Sequence, residues 1–208
     1  MVTITANQIG KRYKKHWVFQ QFSYQFVPGS RTALLGANGS GKSTLLRTLI
    51  GFASATSGHV AWEYKGDIEM DQWHNYYAFA GPYLELFEEY SLREMVDFHF
   101  KLKSIREGID LNDILERANL QKHMGKALGS FSSGMLQRVK LTLALCSNVN
   151  VFLLDEPCSN LDNSGVEFYN YLVNQIPEHS TLIVASNDTK EYAMCSKQIH
   201  MEDYKPTS

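Results

Sequence analysis

Apolar and polar residues alternate in the first part of the chain, a pattern that predicts strands of a half-buried sheet. The alternating apolar positions are Val2, Ile4 and Ala6, followed by Phe22, Tyr24 and Phe26. Turns are expected at Pro28-Gly29 and at Lys65-Gly66, between further strands at 60–64 and 76–80. This part of the chain therefore predicts an antiparallel β portion.

The apolar spacing then becomes helical, and later it becomes a series of short, continuous apolar runs. A capping box from Ser91 to Glu94 predicts the start of a helix. The predicted helices are 42–50, one beginning at the capping box, 112–118, 133–146, 166–176 and 189–195. The predicted buried strands are 32–35, 149–154, 181–185 and 197–201. Strands and helices in this order predict an α/β fold with a mostly parallel sheet and a helical insertion at about 90–146.

The composition fits one globular domain over residues 1–208. The chain is 44% hydrophobic, and its 20 basic and 22 acidic residues give a net charge of -2, so we expect no nucleic acid partner. Three cysteines without a C-x-x-C pair indicate a reducing, intracellular setting. We also expect no secretory signal and no membrane span, because the apolar runs are far shorter than about 20 residues.

A glycine-rich segment between a predicted strand and a predicted helix fits the phosphate-binding pattern G-x-x-x-x-G-K-[ST]. The residues expected to contact a nucleotide here are Gly36, Asn38, Gly39, Ser40, Gly41, Lys42, Ser43 and Thr44. Backbone N–H groups of such a loop surround phosphate oxygens, and the helix N-terminus adds its positive dipole. Lys42 is expected to reach the β and γ phosphates, and Ser43 is expected to bind magnesium.

Two acids follow the apolar strand that ends at Leu154. Asp155 is expected to hold magnesium through water, and Glu156 is expected to orient and polarise the water that attacks the γ phosphate. The alternative for Glu156 is a solvated acid at a strand end. With the phosphate loop, these acids predict a site that binds and hydrolyses a nucleoside triphosphate with Mg²⁺.

A third segment separates this chain from other phosphate-loop proteins. Phe131-Ser132-Ser133-Gly134-Met135-Leu136-Gln137-Arg138-Val139 opens a predicted helix, and Ser159-Asn160-Leu161-Asp162 follows the two acids. In order with the phosphate loop, these segments resemble the L-S-G-G-Q-x-Q-R-V signature and neighbouring loop of ATP-binding cassette (ABC) ATPases. The resemblance covers essentially the whole chain and implies a phosphate-loop NTPase fold.

The resemblance implies roles for four more residues. It implies a head-to-tail dimer in which Ser132 and Gly134 of one subunit contact the γ phosphate held by the other, and in which Asp162 lies in the dimer contact. The alternatives are a simple helix cap for Ser132 and a turn acid for Asp162. Tyr13 occupies the place of the family's adenine-stacking aromatic residue, and a buried core tyrosine is its alternative.

The chain departs from the family pattern within the signature, where Ser133 replaces glycine and Met135 replaces glutamine and a weaker contact across the dimer is expected, and at two further positions. Pro82 stands where the family has a glutamine that touches magnesium and the attacking water, so Tyr83, Glu85 or a water molecule is left to substitute. Asn187 stands at the position of the switch histidine. An amide can donate a hydrogen bond to the γ phosphate but cannot carry a proton near neutral pH, so we expect slow hydrolysis.

The resemblance also implies partners. We expect a second nucleotide-binding domain, identical or different, and a separate membrane-spanning permease that holds this chain at the inner face of the membrane in the cytoplasm. Tyr83 and Phe87 are the aromatic residues expected to line the permease contact, with burial in the core as the alternative. The alternative functions are a soluble ABC protein and a degenerate cassette that dimerises on ATP with little turnover. A GTPase is disfavoured because no N-K-x-D sequence is present.

Overall fold

The computed structural model describes residues 1–206, and the chain divides into two compact units. The first unit contains residues 1–77, 150–156 and the described chain from Pro177 onward. The second unit contains residues 78–149 and 157–176. The helical insertion expected at about 90–146 lies wholly within the second unit. The expectation that residues 1–208 form a single domain stays a prediction.

The helices and strands alternate along the chain. The strands are β1 (Thr3–Tyr13), β2 (His16–Phe26), β3 (Arg31–Leu35), β4 (Ser57–Glu63), β5 (Asp67–Ile68), β6 (Tyr77–Ala80), β7 (Val151–Asp155), β8 (Thr181–Ala185) and β9 (Lys197–His200). The helices are α1 (Lys42–Leu49), α2 (Leu92–Leu102), α3 (Leu111–Arg117), α4 (Ser133–Leu145), α5 (Asn163–Asn174) and α6 (Thr189–Tyr192). Short 3₁₀ helices cover Met70–Asn75, Gln121–His123, Leu128–Ser130 and Met201–Tyr204.

An antiparallel sheet in the first unit has the strand order β2-β1-β4-β5. In β1 and β2 it follows from the alternating sequence, because one side of these strands faces the core: Ile4, Phe22 and Phe26 are fully enclosed. The register shifts between Ala6 and Ile9, where the β1–β2 ladder is irregular. This sheet ends in the tight turn between Tyr13 and His16, which are paired across the two strands.

A parallel sheet in the first unit places β7, β8, β3 and β9 side by side in that order. Every residue of β7 and β8 is buried, as expected for the continuous apolar sequences of strands covered on both faces. The carboxyl ends of β3, β7 and β8 lie at one edge of the sheet. Because ligands of such sheets bind beyond that edge, the loops that follow these strands are the place to look for a site.

The second unit is built from α2 to α5. The expected capping box is present: the Ser91 hydroxyl accepts from the Glu94 N–H, and the Glu94 carboxylate accepts from the Ser91 N–H. The buried Arg106 closes the far ends of two helices, because its guanidinium donates to the carbonyls of Leu145 and Gln175. This cation satisfies carbonyl groups that a helix C-terminus leaves without a partner.

Most predicted elements are present, and the differences are local. Helix α5 begins earlier than expected because Asp162 caps it, and the helix expected at 189–195 ends at Tyr192. Met201, expected in a strand, begins a 3₁₀ helix. In the described part of the chain, no helix combines the length and apolar character needed to cross a membrane.

Candidate functional site

The phosphate loop connects β3 to α1 through a backbone that only glycine adopts readily. Gly41, with a φ of 109°, is the N-cap of α1, and a Cβ there would lie 2.7 Å from a methyl group of Val18. Gly36, with a φ of 146°, has the hydroxyl of Ser40 2.6 Å from the place of a Cβ. The first turn of α1 contains no acidic residue, so its N-terminus is free to attract an anion.

Lys42 is the buried cation of this loop. Its side chain is only 4% exposed, and its ammonium donates to the carbonyl oxygens of Gly36 at 2.5 Å and Ala37 at 3.3 Å. Within residues 1–206 it makes no salt bridge to a carboxylate. A buried ammonium held by neutral carbonyls has charge left to offer to an anionic ligand.

Asn187 joins the loop after β8 to the phosphate loop. Its side-chain oxygen accepts from the Lys42 ammonium at 3.4 Å, and its side-chain nitrogen donates to the Asn38 oxygen at 3.1 Å. The structure therefore brings three of the predicted nucleotide-contact residues together. It also gives Asn187 a contact with Lys42 that its position in the sequence did not indicate.

Asp155 is the buried acid beside the start of α1. Neither of its carboxylate oxygens has a hydrogen-bond partner among the described residues, although the Ser43 hydroxyl lies close enough to lower its pKa. Burial is the larger effect and raises the pKa of Asp155. Two enclosed oxygen atoms next to a serine hydroxyl are the donor types that a hard cation prefers.

Glu156 follows directly in a strained conformation. Its φ of 46° lies in the left-handed region, which residues other than glycine rarely adopt, and its N–H donates to the Ala185 carbonyl at 2.9 Å. This hydrogen bond fixes the backbone at the end of β7. Because its φ is left-handed, Glu156 does not continue the alternation of side chains along β7.

Tyr13 lies at the exposed end of β1. Its side chain is 51% exposed, which rules out the alternative of a core tyrosine. The ammonium of Lys11 lies 5.1 Å from the centre of the ring and also donates to the Ser54 carbonyl at 2.6 Å. This cation–π contact steadies a ring with enough free surface to stack on a flat base.

The signature segment borders a pocket of about 490 Å³ in the second unit. Ser132 is the N-cap of α4, and its hydroxyl accepts from the Met135 N–H at 3.3 Å. A Cβ on Gly134 would lie 2.8 Å from the Asn160 carbonyl oxygen, so a larger residue does not fit there. Ser132 thus has the alternative role of helix cap, and it also lines an accessible pocket at a helix N-terminus.

Asp162 caps α5 and forms an ion pair. Its carboxylate accepts from the Gly165 N–H at 2.8 Å and from the Arg138 guanidinium at 2.6 Å. These hydrogen bonds lower the pKa of Asp162, the Gly165 N–H most. The structure supplies the local role that a turn acid would have, and the expected role in a dimer contact stays a prediction.

Most of the chain matches the model of a known protein family. The model of the ABC transporter family matches residues 19–159 of the 208. This chain belongs to the ABC transporter family. It is a nucleotide-binding subunit of the ABC ATPase type, and the matched segment runs from β2 to the loop after Glu156.

Relatives support the same family, and a solved structure shows the same fold. The chain is 29% identical over 95% of its length to an uncharacterised ABC transporter ATP-binding protein, YybJ, of Bacillus subtilis, covering 92% of that protein. It is 25% identical over 89% of its length to a zinc uptake system ATP-binding protein of Listeria monocytogenes, covering 76% of it. A dimeric bacterial ABC transporter cassette matches in fold with a TM-score of 0.80 and 20% identity, over 95% of this chain and 93% of that one.

Asn187 and Pro82, which both depart from the ABC pattern, lie in different units. Asn187 is at the phosphate loop, as described above. Pro82 lies in the second unit, where its carbonyl and that of Gly81 are each 3.4 Å from the Lys140 ammonium. Tyr83, one proposed substitute for the missing ABC glutamine, is 70% exposed.

Three residues of this ABC subunit that contact predicted site residues were not identified from the sequence. Glu202 accepts a hydrogen bond from the N–H of Ala37 in the phosphate loop, and Arg138 holds Asp162. Lys11 lies over Tyr13. A basic residue two positions before an exposed aromatic on one strand was the only available signal, since i and i+2 share a face of a strand.

Proposed function

We propose that this chain binds ATP, dimerises around it, hydrolyses it and thereby drives a separate membrane-spanning permease. The observation that carries the proposal is the buried Lys42 ammonium, which lies in a glycine loop at a helix N-terminus and has only neutral oxygen partners. An anion with several phosphate groups is the ligand that completes such an arrangement.

Nucleotide capture uses two parts of the first unit. We expect the triphosphate to lie along the loop from Gly36 to Thr44, with Lys42 reaching the β and γ phosphates. The exposed ring of Tyr13 is available to stack on the adenine. Val18, which contacts Gly41 and follows the β1–β2 turn, brings the two parts of this site close together.

Magnesium fits the oxygen atoms beside the loop. The described residues contain no group of three or more His, Cys, Asp or Glu side chains that could hold a metal by themselves. Ser43 and Asp155 would therefore hold the ion together with phosphate oxygens and water, as is usual for this cation. When bound, Mg²⁺ would neutralise charge on the phosphates during their transfer.

Hydrolysis depends on Glu156. Its carboxylate is proposed to accept a proton from the attacking water, while Lys42 stabilises charge on the phosphates. The Asn187 N–H₂ group has two donor hydrogens: one is donated to the Asn38 oxygen, and the other is available for the γ phosphate. The inability of an amide to take up a proton near neutral pH supports the expectation of slow turnover.

The dimer would complete each site. Ser132 and Gly134 of one copy are proposed to contact the γ phosphate held by Lys42 of the other, and Asp162 to lie in the same interface. The pocket beside Ser132 and the open N-terminus of α4 support this role, because they leave hydrogen-bond donors accessible. Whether the second domain is identical or different is left open.

The permease is proposed to hold the chain at the inner face of the membrane in the cytoplasm. The names of relatives support this: they include an iron import ATP-binding protein of Yersinia pestis and a spermidine and putrescine import ATP-binding protein of Thermotoga maritima. The exposed aromatic rings of Tyr83 and Phe87 suit such a contact. The alternatives of a soluble ABC protein or a degenerate cassette are not favoured.

The deciding experiment uses the hydrolysis-deficient Glu156→Gln variant. With saturating Mg-ATP it should dimerise in sedimentation or light scattering, and without nucleotide it should not. The Glu156→Gln variant that also carries Lys42→Ala is the control and should stay monomeric. A Glu156→Gln protein that remains monomeric with Mg-ATP, even beside its native companion chains, would contradict the proposal.

A second experiment tests the partner. Affinity purification from a detergent extract should recover a protein with several membrane spans, and the recovered complex should hydrolyse ATP. Recovery of soluble partners alone would instead favour the soluble or degenerate alternatives.

A further inference from the structure

One peptide group of the phosphate loop is held from both sides by opposite charges. The carbonyl oxygen of Gly36 accepts from the Lys42 ammonium at 2.5 Å, and the N–H of Ala37 donates to a carboxylate oxygen of Glu202 at 3.1 Å. These two atoms belong to the same planar peptide, on opposite edges. A cation on the oxygen and an anion on the N–H polarise the peptide in the same direction, so each hydrogen bond strengthens the other.

The fold itself brings Glu202 to this place. Strand β9 pairs in parallel with β3, with His200 opposite Leu35, so the residues that follow the two strands emerge side by side. The 3₁₀ helix Met201–Tyr204 then places Glu202 beside the start of the phosphate loop. The fit is close, because a Cβ on Gly36 would lie 3.0 Å from both carboxylate oxygens.

The surroundings of Glu202 favour its ionised form. The hydrogen bond from Ala37 is the largest influence lowering its pKa, and the positive charge of Lys205 acts in the same direction. The carboxylate is exposed to solvent rather than buried. It therefore remains an anion near neutral pH without any cost of burial.

We propose that Glu202 is a positioning residue for ATP binding: through the Gly36–Ala37 peptide it holds the start of the phosphate loop and the Lys42 ammonium in the arrangement that receives the phosphates. Glu202 itself does not contact the nucleotide in this proposal. The inference rests on the proposed function, since it concerns the affinity of the same loop for Mg-ATP.

Loss of the Glu202 carboxylate should weaken the binding of ligands that carry phosphate groups. Without the carboxylate, the Ala37 N–H loses its partner and the loop must be ordered by the ligand, which weakens binding. The effect should depend on the phosphates that Lys42 and the loop contact. Adenosine has no phosphate and is expected to bind through Tyr13. Its Kd should therefore not change when the Glu202 carboxylate is lost.

The test compares three variants by titration with Mg-ATP and by competition with adenosine. Glu202→Ala should raise the Kd for Mg-ATP about tenfold, the cost of one charge-assisted hydrogen bond. Glu202→Gln keeps an acceptor oxygen but loses the charge, so its Kd should lie between those of the wild type and Glu202→Ala. Asp203→Ala removes the neighbouring exposed carboxylate and should leave the Kd unchanged.

Two further measurements separate positioning from general destabilisation. The Ala37 amide proton resonance should move upfield in Glu202→Ala, while the melting temperature without nucleotide and the Kd for adenosine stay at wild-type values. The inference is overturned if Glu202→Ala binds Mg-ATP as tightly as the wild type or more tightly. Equal weakening toward adenosine overturns it as well, because the role would then be structural. A wild type that binds adenosine but not Mg-ATP would remove the proposed function, and this inference with it.

Discussion

The side-chain nitrogen of Asn187 donates a hydrogen bond to the side-chain oxygen of Asn38 over 3.1 Å. The switch position of this ABC ATPase is therefore tied to the phosphate loop by two neutral amides, and its oxygen faces the Lys42 ammonium. An amide pair of this kind can position a phosphate but cannot relay a proton.

The substitution Asn187→His should speed hydrolysis. A histidine can carry charge and transfer a proton near neutral pH, and positioned acid–base groups contribute large factors, so we expect turnover to rise about tenfold or more. The measurement is phosphate release per site in the assembled complex at saturating Mg-ATP. Asn187→Ala is the control and should not gain activity. Equal turnover of Asn187→His and the wild type would contradict the role given to Asn187.

The substitution Tyr13→Ala should weaken the binding of every adenine nucleotide. Stacking of a base on an aromatic ring is worth about 1–3 kcal/mol, so the Kd for ATP and for AMP should each rise about fivefold or more. Tyr13→Trp keeps a ring and should bind nearly as well as the wild type. Calorimetric titration measures both. If Tyr13→Ala left the affinity for AMP unchanged, adenine would have to bind elsewhere.

The substitution Arg106→Ala should destabilise the second unit. It leaves the Leu145 and Gln175 carbonyls without their charged donor, and we expect a loss of about 2–4 kcal/mol in the free energy of unfolding. Arg117→Ala is the matched control, because its ion pair with Asp113 is exposed and should contribute little. Urea denaturation measures both variants. Equal effects of the two would show that Arg106 does not hold the helix ends.

Stability should fall as the pH drops from 6.5 toward 4 because of His99. Burial lowers its pKa to about 4, helped by the charge of Lys103, so the unfolded chain takes up a proton at a higher pH than the folded one. Lys103, whose pKa is lowered by burial to about 8, stays protonated throughout this range. Urea midpoints measured from pH 5 to 6.5 should show a smaller slope in His99→Gln than in the wild type. Identical slopes would mean that His99 does not titrate in this way.

The parts of this structure that the sequence predicted are those whose signals are local. The phosphate loop from Gly36 to Ser43 is a contiguous pattern, and the continuous apolar runs of β7 and β8 needed no knowledge of their neighbours. The signature helix was equally clear, because Ser132 begins it in the manner of an N-cap.

Contacts between distant parts of the chain could not be predicted in this way. Glu202 reaches Ala37 because β9 happens to lie beside β3, and no nearby residue indicates that pairing. Arg106 similarly meets two helix ends that only the tertiary fold brings together. The β1–β2 ladder has three register irregularities between Ala6 and Arg12, and a one-residue shift reverses the face on which a side chain lies, so alternation alone could not predict that Tyr13 is exposed.

Because β3 lies between β8 and β9, the parallel sheet of the ATPase can be completed only after both later strands have been synthesised. Arg31 pairs with Leu182 and Leu35 with His200, so this strand leaves the ribosome long before either neighbour exists. A nascent or truncated product that stops before Lys197 would possess the whole nucleotide-binding sequence on a strand with an open edge. An intact phosphate-loop sequence in a shortened gene is therefore no sign of a working enzyme.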